Sequence, residues 1–203
     1  MKTIVGENIY QMEIKRSEFI CYLKKIDTII EAKKYLILIK QKHPDASHHC
    51  SAYIIEQNKK ADDDGEPTGT AGVPILNVLE QHQLQNVICI VVRYFGGIKL
   101  GAGGLIRAYA KITSQTINSL TLINLVVGEI LAITTDFTTN DKLKYYLTQQ
   151  KIPIIKTSYT TEVNYLIKVP QDLKAEILTN IKAINYLIEI QKKSEILMEE
   201  YEK

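Results

Sequence analysis

Apolar residues along this chain recur at two spacings, and the switches between them mark the elements. From Ile9 to Ile26 the segment EFICYLKKI alternates, so one or two strands are expected. After Thr28 the spacing lengthens, with Ile29, Ala32, Leu36 and Ile39 on one helical face. Thr28 and Glu31 form a T-x-x-E capping box, and the helix should stop before Pro44. HHCSAYIIE, His48 to Glu56, returns to a strand pattern, and KKADDDGEPTGTAG, Lys59 to Gly72, reads as a polar loop. Pro74 suits the first turn of a second helix with Ile75, Val78, Leu79 and His82 on one face. NVICIVV, Asn86 to Val92, is an unbroken apolar run, expected of a central strand buried on both faces. A glycine-rich stretch follows, then a helix with Leu105, Tyr109, Ile112 and Leu120 inside and Arg107, Lys111, Ser114 and Asn118 outside. That helix is expected to end near Thr121, with LINLVVG as a link or strand.

Beyond Gly128 there is no glycine, arginine or cysteine. The pattern predicts a strand in EILAITTDF, a helix over 140–150, strands in IPIIKTSYT and EVNYLIKV, a helix in DLKAEILTNIK and a final extended segment. The order βαββαβ fits a ferredoxin-like domain with two helices on a four-stranded sheet. The expected class is α+β, in two domains, 1–127 and 128–203.

Composition narrows the picture only a little. The 203 residues are 45% hydrophobic, ordinary for a soluble protein, and no apolar run approaches the ~20 residues of a membrane span. Neither a signal peptide nor a membrane partner is expected. Cys21, Cys50 and Cys89 are scattered with no CxxC, which suits a reduced, cytoplasmic setting. The net charge of +2 does not announce a nucleic-acid binder, and no DNA-sequence reader is expected. All three arginines (Arg16, Arg93, Arg107) lie before residue 128.

Candidate chemistry concentrates at RYFGGIKLGAGGLIRAYAK, Arg93 to Lys111, where strand, glycine-rich turn and helix start meet. Five of the ten glycines lie there: Gly96, Gly97, Gly101, Gly103 and Gly104. Backbone N–H groups and a helix dipole at such a junction can hold an anion, assisted by Arg93, Lys99 or Arg107. The competing reading is that the glycines serve positive φ angles and close packing. The stretch is neither a P-loop nor a dinucleotide fingerprint.

In the acidic loop, Asp62, Asp63, Asp64 and Glu66 can hold Mg²⁺ with help from a substrate phosphate, and Thr68 and Thr70 can contact that phosphate. A solvated turn explains the same residues. His43, His48, His49 and Cys50 resemble zinc ligands in type only. His48 and His49 are neighbours on a strand and point to opposite faces, so one should face the core and the other the groove of the glycine loop. In the second domain, Tyr159 and Tyr165 are candidates to stack bases or, alternatively, to pack. With no arginine and a charge of −1 over 128–203, that domain suits protein contact better than RNA.

Three segments carry a family resemblance: HPDASHHCSAY (His43–Tyr53), DDGEPTGTAGVPIL (Asp63–Leu76) and VVRYFGGIKLGAGGLIRAYA (Val91–Ala110). Together they resemble the signature blocks of the IMPACT family, in its two-domain, bacterial YigZ-type form. The resemblance implies an N-terminal fold similar to domain 2 of ribosomal protein S-five and a C-terminal one similar to the fifth domain of elongation factor G. It also marks Asp63, Gly65, Glu66, Pro67, Gly69 and Gly72 as a functional surface. Two positions depart from the pattern: Ile54 replaces a frequent arginine, and Thr68 stands where serine is usual.

The resemblance implies a role in translational control for the eukaryotic members. They compete for an activator of the kinase that phosphorylates initiation factor 2. For this chain it implies a binding protein of translation or its regulation, with RNA, the ribosome or a translation-related protein as partner. The alternative is a phosphate-ligand enzyme or sensor with Mg²⁺ at the DDGE loop. The sequence holds no evident nucleophile–base pair, so a binding role is expected over an enzymatic one.

Overall fold

Strand β6 (Val87–Tyr94) organises the first part of a computed structural model that describes residues 1–199. Around it the chain runs β1 (Lys2–Thr3), β2 (Glu7–Ile14), β3 (Ser17–Lys25), α1 (Ile29–Lys42), β4 (His48–Ile55), β5 (Asn58–Asp62), α2 (Gly72–Gln81) and α3 (Ala102–Asn118). The five-stranded sheet has the order β2-β3-β6-β4-β5, antiparallel throughout. Strand β6 is covered on both faces. Val87, Cys89 and Val91 pack with Ile75 and Leu79 of α2 and Leu105, Tyr109 and Ile112 of α3. Ile88, Ile90 and Val92 pack with Ala32, Tyr35 and Ile39 of α1. An unbroken apolar run thus belongs here to an antiparallel strand, because helices lie on both sides of it.

Thr28 caps α1 as expected, with its Oγ1 accepting the Glu31 N–H at 3.2 Å. The Glu31 carboxylate closes the box one residue early, on the Asp27 N–H at 2.8 Å. The segment read as one long polar loop begins with strand β5, paired Ser51↔Asp62 to Ile55↔Asn58. Its sequence, NKKAD, shows no alternation because it is an exposed edge whose lysines deter further pairing.

The chain divides into two compact units, Met1–Ile123 and a second beginning at Asn124. The second contains β7 (Ile123–Thr135), α4 (Phe137–Gln149), β8 (Ile154–Tyr159), β9 (Val163–Pro170), α5 (Lys174–Ile184) and β10 (Glu189–Glu199). Its antiparallel strands lie in the order β10-β7-β9-β8, so the predicted βαββαβ order is present. Leu131, Ile133, Tyr165 and Ile167 of the sheet pack on Leu143, Leu147, Ile177 and Ile181 of the helices. Gly128 lies within β7, so LINLVVG is strand from Ile123 onward. Helix α4 begins three residues before the expected Asn140. Asp136 caps it by accepting the Thr139 N–H at 2.7 Å, although Phe137, Thr138 and Thr139 are better strand formers than helix formers. Among the described residues no helix is long and apolar enough to cross a membrane.

Candidate anion and partner-binding site

Arg93 is the last buried residue of β6. Alternation puts it on the face of Cys89 and Val91, and it is only 4% exposed. Its Nη1 donates to Glu66 Oε1 at 2.6 Å and its Nη2 to Ser17 Oγ at 3.3 Å. The guanidinium lies 5.5 Å from the centroids of both Phe19 and Phe95. Sequence reasoning set Arg93 against an external phosphate; the structure instead commits its charge to Glu66, because strand period turns the side chain inward.

Glu66 reaches this pair from the acidic loop. Its Oε1 also accepts the Tyr109 hydroxyl of α3 at 2.8 Å, and its Oε2 lies 3.8 Å from His48 Nε2. The Tyr109 oxygen is 3.3 Å from Cys50 Sγ, which also meets the Asp63 carbonyl at 3.0 Å. Burial, with the neighbouring Cys50 and Glu66, pushes the Tyr109 hydroxyl far above its usual range. Burial likewise pushes the Cys50 thiol up to about 12, against the pull of the Tyr109 hydrogen bond. Neither group is a nucleophile at neutral pH.

The remaining loop acids are held by the protein. Asp63 accepts the N–H groups of Gly69, Ala71 and Gly72 at 2.7, 3.0 and 2.8 Å, and so caps α2 from a distance. Burial works against its charge, yet the three donors hold its carboxyl below the usual value. Asp64 accepts Lys40 Nζ and the His49 N–H, each at 2.7 Å, and these outweigh burial in the same direction. Asp62 Oδ1 accepts the Asp64 N–H at 3.0 Å. Thr70 donates to the Pro67 carbonyl at 2.6 Å, and Thr68 is exposed.

His48 and His49 do diverge. His48 Nδ1 meets the Asp64 carbonyl at 2.9 Å beside Gly65, whereas His49 turns to the α1 face and donates from Nε2 to the His43 carbonyl at 3.0 Å. Among the described residues no group of three or more His, Cys, Asp or Glu side chains is placed to hold a metal ion.

The glycine stretch divides by role. A Cβ on Gly96 would sit 1.9 Å from the Arg16 carbonyl, so close backbone approach requires this glycine. Gly101, at φ +72°, caps α3 without any side-chain hydrogen bond. The first-turn N–H groups therefore open toward solvent beside exposed Gly101, Ala102 and Gly103. Arg107 folds back along this turn: a Cβ on Gly103 would lie 3.5 Å from its Nη1. Lys99 is exposed nearby, and Gly97 forms the preceding turn with φ +83°. A Cβ on Gly104 would press on Leu100 at 3.0 Å.

Between this helix start and the acidic loop lies a cleft of about 440 Å³, lined by Glu66, Pro67, Arg93, Phe95, Lys99, Leu100, Gly101, Ala102 and Leu105. Two of the three sequence blocks thus meet here, and His48 reaches Glu66 from the third. Sequence reasoning missed Ser17, Tyr109 and Phe95. Phe95 carried a usable signal, as an aromatic residue directly before Gly96-Gly97. Ser17 lies 76 residues from its partner Arg93, and only the fold brings it there.

The Impact N-terminal domain model matches residues 15–117, half of the chain. The chain belongs to the IMPACT family. It is 41% identical over 166 residues to the family member YvyE of Bacillus subtilis, covering 80% of this chain and 76% of that protein. It is 42% identical over 114 residues to YigZ of Escherichia coli, a match that spans 56% of YigZ. A crystal structure of a protein described as hypothetical is similar over 95% of this chain and 97% of that one, with 29% identity and a TM-score of 0.73. The matched segment contains the whole Arg93–Glu66 network and the start of α3, so the candidate site lies in the family's defining domain.

Proposed function

We propose that the chain is a non-catalytic binding protein of translation or its regulation. Its first unit docks the phosphate backbone of RNA, free or in the ribosome, at the start of α3. One observation carries this reading. An uncapped, exposed start of a 17-residue helix is flanked by Lys99 and by Arg107, whose guanidinium folds back toward it. Such an end offers free N–H donors and a positive dipole, and two exposed cations add charge-assisted bonds. Family membership supports the link to translation. The buried, protonated Cys50 and Tyr109 and the fully engaged Asp63 favour binding over catalysis. The likenesses to ribosomal protein S-five and elongation factor G belong to the same reading.

The test is RNA binding by fluorescence anisotropy across a salt series. Affinity should fall steeply as salt rises, because phosphate contacts release counterions. The Lys99→Ala/Arg107→Ala variant should bind at least about tenfold more weakly and show a shallower salt slope. No binding to RNA or ribosomes at low salt, or a folded double variant that binds like the parent, would sink the reading.

A further inference from the structure

The cleft beside the α3 start has features that a phosphate site alone does not need. Phe95 is 48% exposed at its wall, with its ring against the Arg93 guanidinium. Pro67, Leu100 and Leu105 supply further apolar surface. The volume of about 440 Å³ lies within the range of small-ligand sites. The buried polar pair is also incompletely used. Arg93 Nε is buried without a hydrogen-bond partner among the described residues, and Glu66 Oε2 lies 3.8 Å from His48 Nε2, beyond hydrogen-bond reach. The cleft therefore combines an aromatic wall with a lining that includes the incompletely bonded Arg93–Glu66 pair.

We propose that this cleft takes one unpaired nucleobase of single-stranded RNA, stacked on Phe95 while an adjoining phosphate rests at the start of α3. The proposal rests on the RNA reading above and makes it specific. A nucleobase has a flat apolar face and a polar edge with donors and acceptors side by side, which suits both the aromatic wall and the charged Arg93–Glu66 pair in the lining. Bases of an A-form duplex are stacked and paired, so they cannot enter; only a splayed base in a single strand or loop can. Lys99 at the cleft and Arg107, folded back along the first turn, then hold the backbone on either side of that base.

The experiment uses the full chain and a short labelled RNA of mixed sequence, either single-stranded or annealed to its complement. Anisotropy at low salt should show the single strand binding about tenfold more tightly than the duplex. Phe95→Ala should remove that preference and leave duplex binding unchanged, and Phe95→Trp should keep it. Unchanged thermal midpoints confirm that both variants fold, as a half-exposed position allows. Equal affinity for both RNA forms, or a preference that survives Phe95→Ala, overturns the base cleft while leaving phosphate docking intact. Adenosine monophosphate binding as tightly as the RNA overturns it in favour of a mononucleotide site. Binding of neither RNA form overturns this proposal, and its parent falls with it when ribosomes also fail to bind at low salt.

Discussion

Arg93 and Glu66 are an ion pair closed off from water, with side chains 5% and 3% exposed. Desolvating two charges is costly, and their attraction repays it only when the remaining atoms are also bonded. Ser17, Tyr109 and the two phenylalanine rings do that for most of the pair, while Arg93 Nε stays without a partner among the described residues. Removing one partner leaves the other charge buried and unmatched, so Glu66→Ala should cost about 3–5 kcal/mol. Replacing both, as Arg93→Met with Glu66→Leu, should cost much less than the two single changes added together. Urea unfolding of the three variants measures the difference; simple additivity would show that the pair is not coupled. The sequence marks both residues as notable but assigns Arg93 to the surface. Its position in the alternation of β6 held the correction, since Arg93 shares the parity of Cys89 and Val91. The preference of a charged residue for solvent is overridden when a carboxylate 27 positions away in the chain is folded against it.

Helix α2 has no capping side chain at Ala71, and Asp63 takes over that task from eight residues upstream. The local pattern gave no sign of it, because sequence rules look for a cap adjacent to the helix. Gly72 fits the same picture: a Cβ there would lie 2.5 Å from the Asp62 backbone nitrogen, so the helix start is pressed onto the end of β5. The acidic loop thereby anchors the start of α2. Three donors to one carboxylate should make Asp63→Asn destabilising by about 1.5–3 kcal/mol at neutral pH. The pH dependence has a definite sign. Asp63 and Asp64 are both held below their ordinary values, so the unfolded chain binds protons more readily than the folded one. Their contribution is complete above about pH 4 and is lost as the pH falls through the lower folded values. The deficit of Asp63→Asn should therefore be full at neutral pH and shrink as acid removes the same bonds from the parent protein. Urea midpoints from pH 7 downward test this, and a deficit that stays constant into acid would refute the capping account.

Each of the two units has its own buried apolar cluster. The apolar positions of the second unit alternate clearly along β7 and β9, which is why its βαββαβ order was legible. Its ends were not, since the α4 start depends on the Asp136 cap rather than on apolar spacing. Tyr165, considered as a base-stacking residue, is a core side chain whose hydroxyl donates to Asn140 Oδ1 at 2.6 Å. The buried Glu129 is held by Lys174 and Lys192, at 2.7 and 3.0 Å, so part of this unit's positive charge is spent internally. No arginine lies from residue 128 onward, so the proposed phosphate docking would draw its arginine charge from the first unit. A ligand that binds only the folded form at about one hundred times its Kd adds about 2.7 kcal/mol of stability. Core amides that exchange only by unfolding should then slow about a hundredfold in hydrogen–deuterium exchange. RNA should produce that slowing in β3, β6 and α3 and leave the core of β7 and β9 unchanged. Protection confined to the second unit would move the binding surface there and leave the α3 start as packing alone.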